Sequence, residues 1–71
     1  MQQVQRELGG RIRRLRQKKG WSQEQFAAVS GLHRTYIGAV ERGEKNLTIS
    51  TVLTLAKTLD TTVAQLFRGI A

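Results

Sequence analysis

With 71 residues, the chain has room for one domain with one hydrophobic core, since two shorter domains would each bury too little apolar surface. It contains no cysteine, one histidine and five acidic residues, which excludes disulfides and argues against a metal site, a cofactor or a catalytic cluster of acids and bases. The net charge of +7 favours a polyanionic partner such as a nucleic acid, and without a run of about 18 apolar residues no membrane-spanning helix is predicted.

The first predicted helix spans residues 3 to 19 and carries most of the basic charge. Residues 1 to 20 hold seven Lys and Arg against one Glu, whereas the rest of the chain holds five against four acids. Apolar residues recur here every three or four positions, which predicts one buried stripe. The stripe consists of Val4, Leu8, Ile12 and Leu15. Arg16 lies at its border, and most other basic side chains point to solvent. Such a helix either binds a polyanion or keeps the protein in solution.

Two short helices follow, and a glycine separates them. Ser22 and Gln25 have the spacing of a capping box at the start of the second helix, and Gly31 can adopt the positive φ that ends it. The third helix begins near His33 and ends at Gly43. Helix, tight turn and helix together predict a helix-turn-helix.

The third helix has its core face at Ile37 and Val40. From the helical period, we expect four other residues to face outward, at the N-terminal end and along one side of the helix. They are Arg34, Thr35, Gly38 and Ala39. A helix-turn-helix places this part of its second helix in the major groove of DNA.

Two further helices complete a predicted all-α fold. Thr48 is the expected N-cap of the fourth helix, and Thr62 with Gln65 forms a capping box at the start of the fifth. The apolar face of the fourth helix is wider than one core contact needs. We therefore expect a second copy of the chain to bind there, although a wholly intramolecular core is the alternative. The interface candidates are Leu55, Phe67 and Ile70.

The segment GWSQEQFAAVSGLHRTYIGAVERGEKN, residues 20 to 46, resembles the helix-turn-helix of the lambda-repressor-like family, also called the Cro/C1 or XRE type. The likeness extends to LGGRIRRLRQKKG before it and to LTISTVLTLAKTLDTTVAQLF after it, so it covers nearly the whole chain. Within the family, RTYIGAVERGEKNLT is most similar to controller proteins of restriction-modification systems. The resemblance implies a compact five-helix DNA-binding domain over residues 1 to 71, acting as a homodimer on a palindromic operator.

The resemblance also implies roles for single residues. Arg34, Thr35 and Lys45 match base-reading positions, where an Arg can bond to both O6 and N7 of guanine. The positions that match contacts to the DNA backbone are Ser22, Gln23, Tyr36, Asn46, Thr48 and Thr51. Three of these have a structural alternative: Tyr36 can pack on the protein, Asn46 suits a turn, and Thr48 caps a helix.

Other positions either depart from the family pattern or match its internal contacts. Arg16 and Glu41 match a partly buried ion pair that orients the third helix. Family members often carry Ser, Thr or Asp where this chain has His33, so either a phosphate contact or no particular role fits that residue. Gly38 and Ala39 replace longer polar side chains, which gives Arg34 a larger share of base reading.

Two classes of function follow, and a third is weaker. The leading hypothesis is a cytoplasmic transcriptional regulator that binds double-stranded DNA, and the alternative is a protein-binding helical module such as an antitoxin or an adaptor. Non-specific nucleic-acid binding through the first helix is the third. No enzyme activity, cofactor, metal or small-molecule ligand is predicted, because one histidine and scattered acids cannot supply a nucleophile, a base and an orienting group.

Overall fold

The computed structural model describes residues 2–70, and over this range it contains five α-helices and no strand. The helices are α1 (Gln2–Lys18), α2 (Gln23–Ser30), α3 (Arg34–Glu41), α4 (Ile49–Thr58) and α5 (Val63–Phe67). The all-α fold class predicted from the sequence is therefore confirmed. Among these five helices, none is both long and apolar enough to cross a bilayer.

Capping boxes begin two of the helices, as the sequence predicts. Ser22 Oγ accepts a hydrogen bond from the N–H of Gln25 at 3.1 Å, and Gln25 Oε1 accepts one from the N–H of Ser22 at 2.8 Å. Thr62 and Gln65 make the same reciprocal pair at 3.0 and 3.2 Å at the start of α5. Each box satisfies N–H groups that have no partner within the helix, so local sequence is enough to set where α2 and α5 begin.

The hydrophobic core takes one large, fully buried side chain from each helix. In chain order they are Ile12, Phe26, Ile37, Leu55 and Leu66. Four of the helices have ten residues or fewer, so each needs this shared core to be stable. Leu55 has no exposed surface. The prediction that Leu55 lies in a dimer interface is therefore wrong, because its side chain is already surrounded by the protein's own core.

The turn between α2 and α3 depends on two residues. Gly31 has φ of 74°, a left-handed conformation that glycine adopts without steric cost, and its N–H bonds to the carbonyl of Ala27. His33 is the N-cap of α3, because its Nδ1 accepts a hydrogen bond from the N–H of Thr35 at 3.4 Å. The imidazole thus takes the capping role for which Ser, Thr or Asp is more usual.

Close backbone contacts hold α3 against α1. A Cβ atom on Gly9 would lie only 2.3 Å from the carbonyl oxygen of Val40 and 2.8 Å from that of Glu41. At Gly43, where φ is +77°, a Cβ would lie 2.8 Å from the Cα of Arg6. Neither position has room for a side chain, so the two glycines set how closely the end of α3 approaches α1.

Candidate nucleic-acid interface

The first turn of α3 presents polar side chains to solvent. His33, Arg34 and Thr35 are exposed, whereas Tyr36 is half-buried and packs against the core. The guanidinium Nε of Arg34 lies 3.8 Å from Oε1 of Glu24 in the first turn of α2. Arg34 and Thr35 are thus accessible at the N-terminal end of the second helix of the helix-turn-helix, where the sequence places them.

Gly38 and Ala39 do not face solvent. The prediction that they lie on the outward face of α3 is therefore wrong. Ala39 is only 7% exposed, and Gly38 is also buried. Side chains from outside α3 cover Gly38: a Cβ there would lie 3.2 Å from Nη1 of Arg42 and 3.7 Å from Oε1 of Gln23. A helical projection identifies the face of α3 that meets the core, but it does not show that other side chains fold over the remaining faces.

A groove runs along α3 and the loop that follows it. Its lining residues are His33, Thr35, Tyr36, Ala39, Arg42, Glu44 and Lys45. Two of the three predicted base-reading residues, Thr35 and Lys45, therefore line one groove, while Arg34 lies at the start of the same helix. The fold brings together polar groups that are ten residues apart in the sequence.

Behind this surface, a buried network fixes the orientation of α3. Arg16 donates from Nε to Oε2 of Glu41 at 2.7 Å and from Nη2 to Oε1 at 3.0 Å. Its Nη1 donates to the carbonyl of Trp21 at 2.9 Å, and Gln23 Nε2 donates to Glu41 Oε1 at 3.1 Å. The ion pair implied by the resemblance is present, and it links α1, the start of α2 and the end of α3.

Gln23 belongs to this buried network and also lies at the N-terminus of α2. It is half-buried in the first turn of α2, where one of its amide hydrogens bonds to Glu41. An amide nitrogen carries two hydrogens, so one remains for a ligand. The N-terminus of α2 favours an anionic ligand, because its backbone N–H groups and the helix dipole both attract negative charge.

The loop after α3 is organised by side-chain pairs. Arg42 donates from Nε and Nη2 to the two carboxylate oxygens of Glu44 at 2.9 and 3.1 Å. This hydrogen bonding raises the pKa of Arg42 and lowers the pKa of Glu44. Gln5 of α1 donates to the side-chain oxygen of Asn46. Residues on both sides of the exposed Lys45 therefore have side-chain hydrogen-bond partners.

At the start of α4, the cap takes up the hydroxyl of Thr48. Thr48 Oγ1 accepts from the N–H of Thr51 at 3.2 Å and donates to Oγ1 of Thr51 at 2.9 Å. The structural alternative for Thr48 is thus realised, as the predicted N-cap.

Some side-chain contacts in this region are not indicated by any pattern in the sequence. The Gln5–Asn46 pair joins positions 41 residues apart, and no local pattern connects them. Arg11 of α1 donates to the carbonyls of Gln65 and Leu66 at 3.0 and 3.1 Å and so caps the end of α5. Glu24 was detectable only as an acid in the first turn of α2.

An apolar surface extends from the edge of the core onto the exposed side of α4. Ile49 is 80% exposed and Leu53 is 54% exposed. With neighbours from the preceding loop and α5 they form what we call the α4–α5 surface: Leu47, Ile49, Val52, Leu53, Val63 and Phe67. Of the predicted interface residues, Phe67 and Ile70 are both half-buried and pack against the core, and Phe67 also lines this surface. Within residues 2–70 no three His, Asp or Glu side chains group as metal ligands would.

Comparison with known proteins places the chain in a family. Residues 12–66 match the helix-turn-helix family model of the HTH_3 type. The control protein C.SmaI of Serratia marcescens is 54% identical over 59 residues, which are 83% of this chain and 70% of that protein.

Two solved structures show the same architecture. The restriction-modification controller protein C.AhdI from Aeromonas hydrophila superposes with a TM-score of 0.83 at 47% identity, over 87% of this chain and 94% of that one. The controller protein C.Esp1396I, a tetramer in complex with its natural 35-base-pair operator, has a TM-score of 0.83 at 33% identity, over 94% and 88% of the two chains. The chain thus belongs to the XRE-type helix-turn-helix family, as its sequence pattern indicated.

Proposed function

We propose that this protein is a sequence-specific transcriptional regulator that binds double-stranded DNA through α3. The observation that carries the proposal is the exposed turn at Arg34 and Thr35, on a helix held from behind by the Arg16–Glu41 pair. A rigid helix with an accessible polar N-terminal turn is what a helix-turn-helix inserts into the major groove. The related controller protein seen on its operator supports this function, and we propose no catalytic role.

Base reading is assigned to Arg34, Thr35 and Lys45. The guanidinium of Arg34 can donate two hydrogen bonds, one to O6 and one to N7 of the same guanine. No other base presents this pair of acceptors in the major groove. Thr35 can contact a thymine methyl group or a base edge. Lys45 shares a groove with Thr35 and so reaches the same stretch of DNA.

Backbone contacts position the protein without reading sequence. Ser22 and Gln23 lie at the N-terminus of α2, which attracts phosphate. The other residues that we assign to phosphate contacts are Tyr36, Asn46, Thr48 and Thr51, all on α3, the loop or the start of α4. Since residues from all five helices share the core, we further propose that residues 1 to 71 act as one DNA-binding domain.

The α4–α5 surface is the proposed dimer interface. Ile49 and Leu53 expose apolar side chains next to half-buried Phe67, and a second copy would remove them from water. A two-fold dimer would set two α3 helices about 34 Å apart, matching half-sites one turn of DNA apart. Because its relatives include control proteins, we propose that the regulated genes belong to a restriction-modification system.

Selection from a random DNA library at two salt concentrations tests the function. We expect the protein to enrich a palindrome and to bind less tightly as salt rises, since phosphate neutralisation releases counterions. Enrichment of no sequence, with binding that still depends on salt, would instead indicate a non-specific nucleic-acid binder. No DNA binding at either concentration would indicate a protein-binding module.

A further inference from the structure

Glu24 places a negative charge inside the proposed interface. It follows Gln23 in the first turn of α2, and its side chain is 78% exposed. Its Oε1 lies 3.8 Å from Nε of Arg34, whose side chain is 59% exposed. The negative charge of Glu24 opposes the attraction of the α2 N-terminus for phosphate, so it lowers the general affinity for DNA.

The pair with Arg34 contributes little to the fold. Ion pairs between two exposed side chains add almost nothing to stability, because water screens the charges and both side chains lose freedom. The start of α2 is already held by the capping box of Ser22 and Gln25, and α3 is held by its buried residues. Neither the fold nor general affinity therefore explains the contact.

We propose that Glu24 is a positioning residue that determines specificity by orienting Arg34. It approaches the guanidinium at Nε, which leaves the two terminal nitrogens of Arg34 for the two acceptors of a guanine edge. A guanidinium is planar, so an acid on one edge also fixes the direction of the opposite edge. Closing the interface removes water and strengthens the attraction between the two charges.

The proposal rests on the function proposed above, in which Arg34 reads a base. Its consequence is specific: Glu24 lowers non-specific binding through its charge and raises discrimination through Arg34. A residue needed only for folding would change both kinds of binding in the same direction.

The experiment measures the Kd of each variant for the selected operator and for a scrambled duplex of equal length. The discrimination ratio is the Kd for the scrambled duplex divided by the Kd for the operator. In Glu24→Ala, we expect this ratio to fall about three- to tenfold, because an unrestrained Arg34 loses part of its discrimination. Affinity for the scrambled duplex should stay equal or rise. Glu7→Ala is the matched control, since it removes the same charge from an exposed position on α1, and it should leave the ratio unchanged.

A double-mutant cycle tests whether Glu24 affects discrimination through Arg34. In the Arg34→Ala background, Glu24→Ala should no longer change the ratio. The proposal is overturned if Glu24→Ala leaves the wild-type ratio unchanged, raises it, or lowers it equally without Arg34. A raised ratio would mean that Glu24 competes with guanine for Arg34. If the wild-type protein selects no sequence at all, the proposed function fails first and this inference fails with it.

Discussion

Arg34 is the side chain on which base recognition should depend most. Arg34→Ala should cost about 1 to 3 kcal/mol of binding free energy and relax the preference at one base pair in each half-site. The measurement is a library selection with the variant, followed by titration of the wild-type operator. Arg13→Ala removes an equal charge from an exposed position on α1 and should leave the selected motif intact.

A selected motif that is unchanged by Arg34→Ala would contradict direct reading by this residue. Gln23→Ala should behave differently, because a phosphate contact carries no sequence information. We expect it to weaken binding to all sequences alike.

The Arg42–Glu44 pair predicts a titration that can be observed at one residue. Hydrogen bonds from Arg42 stabilise the ionised carboxylate and lower the pKa of Glu44. The pair is therefore complete above the ordinary carboxyl range and is lost as the pH falls through the lowered pKa. Arg42→Ala should raise the pKa of Glu44, measured by NMR titration of its side-chain carboxyl. An equal pKa in both proteins would show that the two side chains are not paired in solution.

At the level of helices, the contact between α1 and α3 tolerates no added atom at Gly9. Gly9→Ala should destabilise the protein by about 1 to 3 kcal/mol, since the new methyl group meets the backbone of Val40 and Glu41. The adjacent Gly10 is the matched control, because a Cβ there meets only the far end of the Arg14 side chain, at 3.9 Å.

Chemical denaturation of the two variants tests this contact. Gly10→Ala should stabilise the protein by about 0.5 to 1 kcal/mol, because alanine favours a helix interior more than glycine does. The close approach of α1 and α3 would be refuted if Gly9→Ala were as stable as Gly10→Ala.

In the short helices, local sequence determines where each helix begins, and long-range contacts determine how the helices are placed relative to one another. Their starts follow from neighbouring residues, such as Ser22 with Gln25 and Thr62 with Gln65. Their relative placement follows from contacts far apart in the chain, such as Arg16 with Glu41. A buried charge left without its partner is strongly unfavourable, so this pair ties the position of α3 to that of α1.

At the level of the whole molecule, self-association should depend on the α4–α5 surface. Leu53→Glu places a charge where apolar contact with a second copy is proposed, and it should weaken dimerisation about tenfold or more. Val29→Glu is the matched control, because Val29 is 55% exposed but lies on α2, outside that surface.

Sedimentation over a range of concentrations measures this effect, and circular dichroism shows whether each variant is folded. A wild-type protein that stays monomeric at every concentration, with and without operator, would contradict the dimer. Equal weakening by both variants would place the interface elsewhere.

The sequence by itself determined the fold class, the starts of the helices and the family. Apolar spacing, capping boxes and a turn glycine depend on residues within one or two helical turns, so they can be read without coordinates. The exposure of Arg34 and Thr35 was predictable for the same reason, since they follow directly on the cap of α3.

Only the tertiary structure decided which apolar residues of α4 meet the core and which faces of α3 stay open to solvent. Leu55 is buried while Leu53 and Ile49 are exposed, and Gly38 and Ala39 are covered. These outcomes depend on the angles and distances at which the helices cross, which contacts such as Gly9 against Val40 determine. The pairing of Glu24 with Arg34 has the same origin, because it exists only where two separate helices meet.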